Sequence, residues 1–205
     1  MKHALLTAAL FTSLALASAS ALANATVGQP APAFSAVDTS GKTVSLADFK
    51  GRHVVLEWVN PGCPFVRKHY DSANMQATQK GATDKGVVWL AINTTATDAG
   101  DYLKPAAMAE WMSKQRAAAS ATLMDSDGKV GRAYGARTTP HMYVINAKGT
   151  LVYAGAIDSK ASANPADIPS STNHINVALA ESLAGKPVSV ASTRPYGCSV
   201  KYSSM

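Results

Sequence analysis

Residues 87–92 read Val-Val-Trp-Leu-Ala-Ile, an apolar run without a polar break. A short continuous run of this kind suits a β-strand covered on both faces, because a half-exposed strand would alternate with period two. The stretch His53 to Val59 is similar, and Glu57 is its one acid. Between and after these runs the sequence changes to helix-forming patterns. Pro64 fits the first turn of a helix running to about Lys80, and Pro105 opens an Ala- and Met-rich helix to about Ala119. Strand, helix, strand, helix in this order predicts a mixed α/β sheet with helices on both faces.

The remaining elements follow from punctuation. Short strands around Phe34 to Val37 and at Val44 flank the turn Asp38-Thr39-Ser40-Gly41-Lys42, an N-terminal β-hairpin. Leu123 and Met124 end a strand, Asp125 to Gly128 turn, and Val130 to Tyr134 make a brief helix. Pro140 precedes the strand Met142 to Ile145, which returns through Asn146-Ala147-Lys148-Gly149 as Leu151 to Ala154. Ser159 to Asn173, rich in Ser, Ala, Pro and Asn, reads as an inserted surface loop. A last helix, Ile175 to Leu183, stops before Gly185 and Pro187.

Residues 1–25 read as a secretory leader. Lys2 and His3 are followed by a largely apolar run from Ala4 to Ala17, then by small residues with A-x-A signals at Ala21-Leu22-Ala23 and Ala23-Asn24-Ala25. The run is too short for a transmembrane anchor, and no cysteine stands there to carry a lipid. Cleavage near residue 23 or 25 would leave one domain, residues 26–205, in the periplasm or outside the cell, where disulfides persist. The net charge of +6 falls by one unit with the leader. Lys and Arg are scattered among acids, so neither a nucleic-acid partner nor a membrane anchor is expected.

Cys63 lies in Glu57-Trp58-Val59-Asn60-Pro61-Gly62-Cys63-Pro64-Phe65-Val66, at the turn from strand to helix. There it faces the positive end of the helix dipole, which favours thiolate over thiol. A buried structural cysteine is the plainer alternative. Arg67 and Lys68 lie one turn along, and Arg137 stands before Thr138-Thr139-Pro140. Each is a candidate partner for a thiolate or an ordinary solvated charge.

The runs Asn60 to Val66 and Tyr134 to Pro140, followed by a hairpin, resemble the thioredoxin fold. More narrowly the chain, over Thr26 to Leu183, resembles the redoxin branch that includes the alkyl hydroperoxide reductase/thiol-specific antioxidant (AhpC/TSA) proteins and secreted peroxiredoxin-like members. The terminal Tyr196-Gly197-Cys198-Ser199-Val200-Lys201 resembles the tail of that group. The resemblance implies a central sheet flanked by helices, a thiol-dependent oxidoreductase with Cys63 as nucleophile, and a cis Pro140 packed against it. It implies a peroxide or a protein disulfide as substrate, an external dithiol as reductant, and no cofactor. Two departures stand out. The second position of a C-x-x-C motif is Val66, and the threonine and proline that precede a peroxidatic cysteine are replaced by Asn60 and Leu56.

Cys198 is then the candidate resolving cysteine, since a second thiol can condense with an oxidised Cys63. With two cysteines in the chain, Cys63–Cys198 is the one intramolecular pairing, catalytic, static or unused. Glu57 is a proton-relay candidate if buried, or a carboxylate paired with a cation if the strand is partly wet. Cys63, Cys198 and His141 together would suit copper(I) or zinc, the alternative of a metal-binding protein.

Overall fold

The computed structural model describes residues 25–203, so the expected leader lies outside the described residues save for Ala25. Seven strands form the main sheet: β1 (Ser35–Asp38), β2 (Thr43–Ser45), β3 (Val54–Trp58), β4 (Val88–Asn93), β5 (Ala121–Met124), β7 (His141–Ile145) and β8 (Leu151–Gly155). Their order is β2-β1-β5-β4-β3-β7-β8, with β3, β4 and β5 parallel and the others antiparallel to their neighbours. The apolar runs have a simple cause: every residue of β3, β4 and β7 is buried. Alternation along β3 sends Val55, Glu57 and Val59 to one face and Val54, Leu56 and Trp58 to the other.

Helices cover both faces. Against Val55, Val59, Trp89 and Val144 pack α1 (Pro64–Asp71), α2 (Asn74–Thr83), α3 (Pro105–Lys114) and α5 (His174–Leu183). On the opposite face α4 (Lys129–Tyr134) and the β1–β2 hairpin cover Leu56, Trp58, Leu90 and Tyr143. The expected mixed sheet, flanking helices and N-terminal hairpin are therefore all present.

Two helices differ from expectation. The single helix expected from Pro64 to Lys80 is broken: Ala73 adopts φ 61°, the left-handed region. The Ser72 hydroxyl donates back to the Lys68 carbonyl at 2.7 Å, competing with the next helical turn. The new direction buries Met75, Gln79 and Ala82 under β4, which offsets the strained residue. The helix from Pro105 stops at Lys114 instead of about Ala119, because Arg116 turns with φ 52° and the chain is drawn against α2. Gln76 donates to the Gln115 carbonyl at 2.6 Å, and the Ala118 N–H donates to Gln79 at 2.8 Å.

The segment from Ser159 to Asn173 contains a 3-10 turn (Pro165–Ser170) and is closed at its base by an Asp158–Asn173 bridge. The chain after α5 is more ordered than its composition suggests. It runs back over the molecule, bridging Ala154 with Ser192 and Thr95 with Lys201. Between these points a two-residue strand, β9 (Cys198–Ser199), pairs antiparallel with β6 (Thr138–Thr139).

Candidate functional site

Cys63 is the N-cap of α1, in extended conformation, with Pro64 at the first helical position. The loop that delivers it is tied down on all sides. Asn60 accepts from the Gly62 N–H at 2.7 Å and donates to Asp101 at 2.9 Å and Thr95 at 3.3 Å. Arg67 donates to the Pro61 carbonyl at 3.1 Å, and Asn93 donates to the Val59 carbonyl at 2.9 Å. Asn60 thus serves as the loop's internal brace.

Cys63 is 2% exposed. As a thiol it donates to the Thr139 carbonyl at 2.9 Å. The Thr139–Pro140 peptide bond is cis, and the β6–β9 pairing sets Cys198 directly across from Thr139. Both cysteines are free thiols, and each acts on the other's ionisation. Burial alone would push the Cys63 thiol up. The Cys198 thiol, the Thr139 side chain and the N–H groups of Cys198 and Val66 outweigh burial, and Cys63 ends below its ordinary pKa. Cys198 moves the other way, to about 11, through burial first and then through its bond to Cys63 and the Cys63 charge. Of the two sulfurs, Cys63 is the one built to ionise. The Thr139 hydroxyl is buried without a partner when Cys63 is protonated, so an ionised sulfur finds an idle donor beside it.

Glu57 is fully buried, on the face of the sheet that α1 and α2 cover. Tyr70 donates to it at 2.8 Å, Gln79 at 3.0 Å and the Trp89 indole at 2.7 Å. No lysine or arginine is among these partners, so the partly wet, cation-paired alternative is excluded. Burial raises its pKa to about 7, with the three hydrogen bonds opposing.

Three other sequence candidates are elsewhere. Arg67 is spent on the Pro61 carbonyl. Arg137 is not among the principal groups acting on the Cys63 sulfur; with Arg194 and His141 it lines a separate pocket of about 400 Å³. His141 lies opposite Trp58 of β3, on the sheet face away from α1, its ring tilted against Tyr143 at 4.5 Å and 3.0 Å from the Tyr143 hydroxyl. The Cys63–Cys198–His141 donor set is therefore not assembled, and among the described residues no cluster of three or more His, Cys, Asp or Glu side chains is placed to hold a metal ion.

The sequence reading missed the groups that seat the tail. Tyr196 donates to Asp158, whose other oxygen is 3.0 Å from the buried Lys68 ammonium. Gly197 passes so close to Thr139 that a β-carbon would collide with its carbonyl. Tyr202 donates to the Ala136 carbonyl at 2.7 Å, its ring lying where a β-carbon on Gly128 or Gly131 would be. The glycine beside the cysteine in Tyr196-Gly197-Cys198 was the available signal.

The AhpC/TSA family model matches residues 27–154. The thiol:disulfide interchange protein DsbE of Pseudomonas aeruginosa is 26% identical over 145 residues, covering 69% of this chain and 73% of that protein. A solved structure of an uncharacterized conserved protein from Geobacillus kaustophilus superposes with TM-score 0.74 at 25% identity, covering 88% of this chain and 94% of that one. A hypothetical protein from Sinorhizobium meliloti superposes with TM-score 0.73 at 22% identity, covering 88% and 96%, a likeness of fold.

Proposed function

The chain belongs to the AhpC/TSA family, a redoxin family of the thioredoxin-fold superfamily, and on that footing we propose that it is an exported thiol-disulfide oxidoreductase whose nucleophile is Cys63 and whose resolving thiol is Cys198. The observation that carries the reading is the pair of free thiols meeting at the N-terminus of α1, one lowered and one raised in pKa. The Cys63 thiolate attacks one sulfur of a protein disulfide, forming a mixed disulfide and expelling the other sulfur as a thiolate. Cys198 then loses its proton and attacks the Cys63 sulfur. The Cys63–Cys198 disulfide forms, the substrate leaves fully reduced, and two electrons have passed to it. An external dithiol restores the pair.

Glu57, its carboxyl raised to about 7 by burial, is the proton acceptor we assign to the interior, and the Thr139 carbonyl, ahead of cis Pro140, accepts from the Cys63 thiol. A protein disulfide is favoured over a peroxide by Asn60. Its side chain, at the position of the peroxide-gripping threonine, is fully engaged in bracing the loop. The leader motif supports export, and residues 26–205 form the mature domain.

The experiment mixes reduced mature protein with one equivalent of a protein disulfide or of hydrogen peroxide, alkylates free thiols at timed points and reads the masses. A transient adduct on Cys63 followed by the intramolecular disulfide, with Cys198→Ser arrested at the adduct, is the expected result. Faster conversion by peroxide would transfer the reading to a peroxidase. Two thiols that stay alkylatable with both oxidants would refute it.

A further inference from the structure

We propose that Tyr196 is a positioning residue: by locking onto the buried Lys68–Asp158 pair it sets the tail so that Cys198 meets Cys63. The inference rests on the reading of Cys198 as the resolving thiol. Three side chains of α1 converge on Tyr196. The Phe65 ring packs edge-on at 5.8 Å, the Lys68 ammonium lies 5.5 Å from the Tyr196 ring centre and 3.4 Å from its hydroxyl, and His69 Nε2 lies 3.3 Å from that hydroxyl. Asp158, three residues past the end of β8, completes the cluster, accepting from Tyr196, Lys68 and the Lys160 N–H.

The cluster is buried and ionic. The Lys68 and Asp158 side chains are 0% and 1% exposed. Burial would raise the Asp158 carboxyl, but the bonds from Tyr196, Lys68 and the Lys160 N–H outweigh it, so Asp158 stays charged. A carboxylate in such surroundings is a strong acceptor, and a phenol is a short, rigid donor to it. Lys68 also donates to the Lys160 carbonyl at 2.9 Å, which fixes its ammonium independently of the tail. The socket thus has its own internal bonds, and Tyr196 is the part that arrives with the tail.

The position of Tyr196 gives this anchor its leverage. It precedes Cys198 by two residues, and its partners Phe65, Lys68 and His69 are on the helix whose N-cap is Cys63. The α1 side of the anchor and the nucleophile therefore belong to one element, and Cys198 opens β9 two residues past Tyr196. A strand of two residues has too few ladder bonds to hold its own register. The tail is also tied at Ser192, Val200 and Lys201, so loss of Tyr196 frees Cys198 on one side, and its effective concentration falls from that of a fixed thiol pair toward that of a tethered one.

The test is the effective molarity of the Cys63–Cys198 pair, measured as the disulfide equilibrium in glutathione buffers of the full mature protein, with folding followed by circular dichroism. Tyr196→Phe, which keeps the ring and removes the donor to a charged acceptor, should lower it by about tenfold or more. Tyr196→Ala should lower it further, slow attack of Cys198 on a Cys63 mixed disulfide to a similar degree, and raise the pH at which Cys63 is alkylated. In a Cys198→Ser background Tyr196→Ala should still raise that pH, by less, because the backbone N–H of residue 198 leaves with the tail. Folded Tyr196→Phe protein with the wild-type effective molarity would overturn the role of Tyr196 and leave Cys198 as resolver. A wild-type pair that never closes would overturn both.

Discussion

Gly197 runs past the carbonyl of Thr139 with no room for a β-carbon between them; the added atom would lie 2.7 Å from the Thr139 carbonyl carbon and closer still to its oxygen. Its φ of 136° is also one that side chains rarely adopt. Cys198 thus reaches Cys63 only because its preceding residue is glycine. Gly197→Ala should unseat β9 while sparing the core, and intramolecular disulfide formation after one equivalent of oxidant should slow by at least about tenfold, as ordering of the pair is lost. Timed alkylation mass spectrometry checks this, with the far-ultraviolet spectrum expected unchanged.

The idle Thr139 hydroxyl makes a second, opposite kind of prediction. It is buried without a partner beside the sulfur it would serve. Thr139→Val keeps the shape and removes the donor. The Cys63 thiolate should then form at higher pH, read from the pH dependence of alkylation. Stability should stay within about 1 kcal/mol of wild type, because an unpaired polar group is replaced by an apolar one.

Glu57 couples folding to pH. Its folded pKa, about 7, lies above the carboxyl's ordinary value of 4.5, so the native state holds a proton that the unfolded chain gives up. Stability from this group is complete below pH 4.5 and is lost as pH rises through 7, by about 3 kcal/mol in total. Glu57→Gln should flatten that decline in denaturant titrations between pH 5 and 8. The variant should also exchange disulfides more slowly if Glu57 accepts a proton during turnover.

His141 acts on the acid side. Burial first, and the Arg137 charge second, hold its pKa at about 3, well below the ordinary 6.5. The unfolded chain therefore binds a proton that the native state refuses, and stability falls as pH drops from 6.5 toward 3, by about 4 kcal/mol. His141→Asn should shrink this acid loss. His69, lowered to about 4 by burial, adds a loss of the same sign that the variant leaves in place.

Much of the fold was legible along the chain, because burial on both faces writes itself as uninterrupted apolar runs. Val88 to Ile92 could be read as an interior strand, and Cys63-Pro64 as a strand end and helix start, from local chemistry alone. The break at Ala73 was not legible: no glycine or proline marks it, and Ser72 bends the chain through a hydrogen bond that exists only once the helix has formed. Arg137 looked like a thiolate partner for the same kind of reason. Sequence places it three residues before Pro140 without saying that its side chain joins His141 and Arg194 at another pocket.

By itself the sequence determined the class of fold, the helix start at Cys63 and the identity of that cysteine's one intramolecular partner, since these depend on periodicity, on a helix terminus and on there being two cysteines. Tertiary structure alone decided that Glu57 is dry, that the tail is a strand paired with Thr138–Thr139, and that Lys68 and Asp158 form its socket. The last two join residues about 60 to 130 positions apart, as Thr138 is from Ser199 and Lys68 from Tyr196. Burial and pairing at such separations are set by how whole elements pack, and no local pattern of side chains records them.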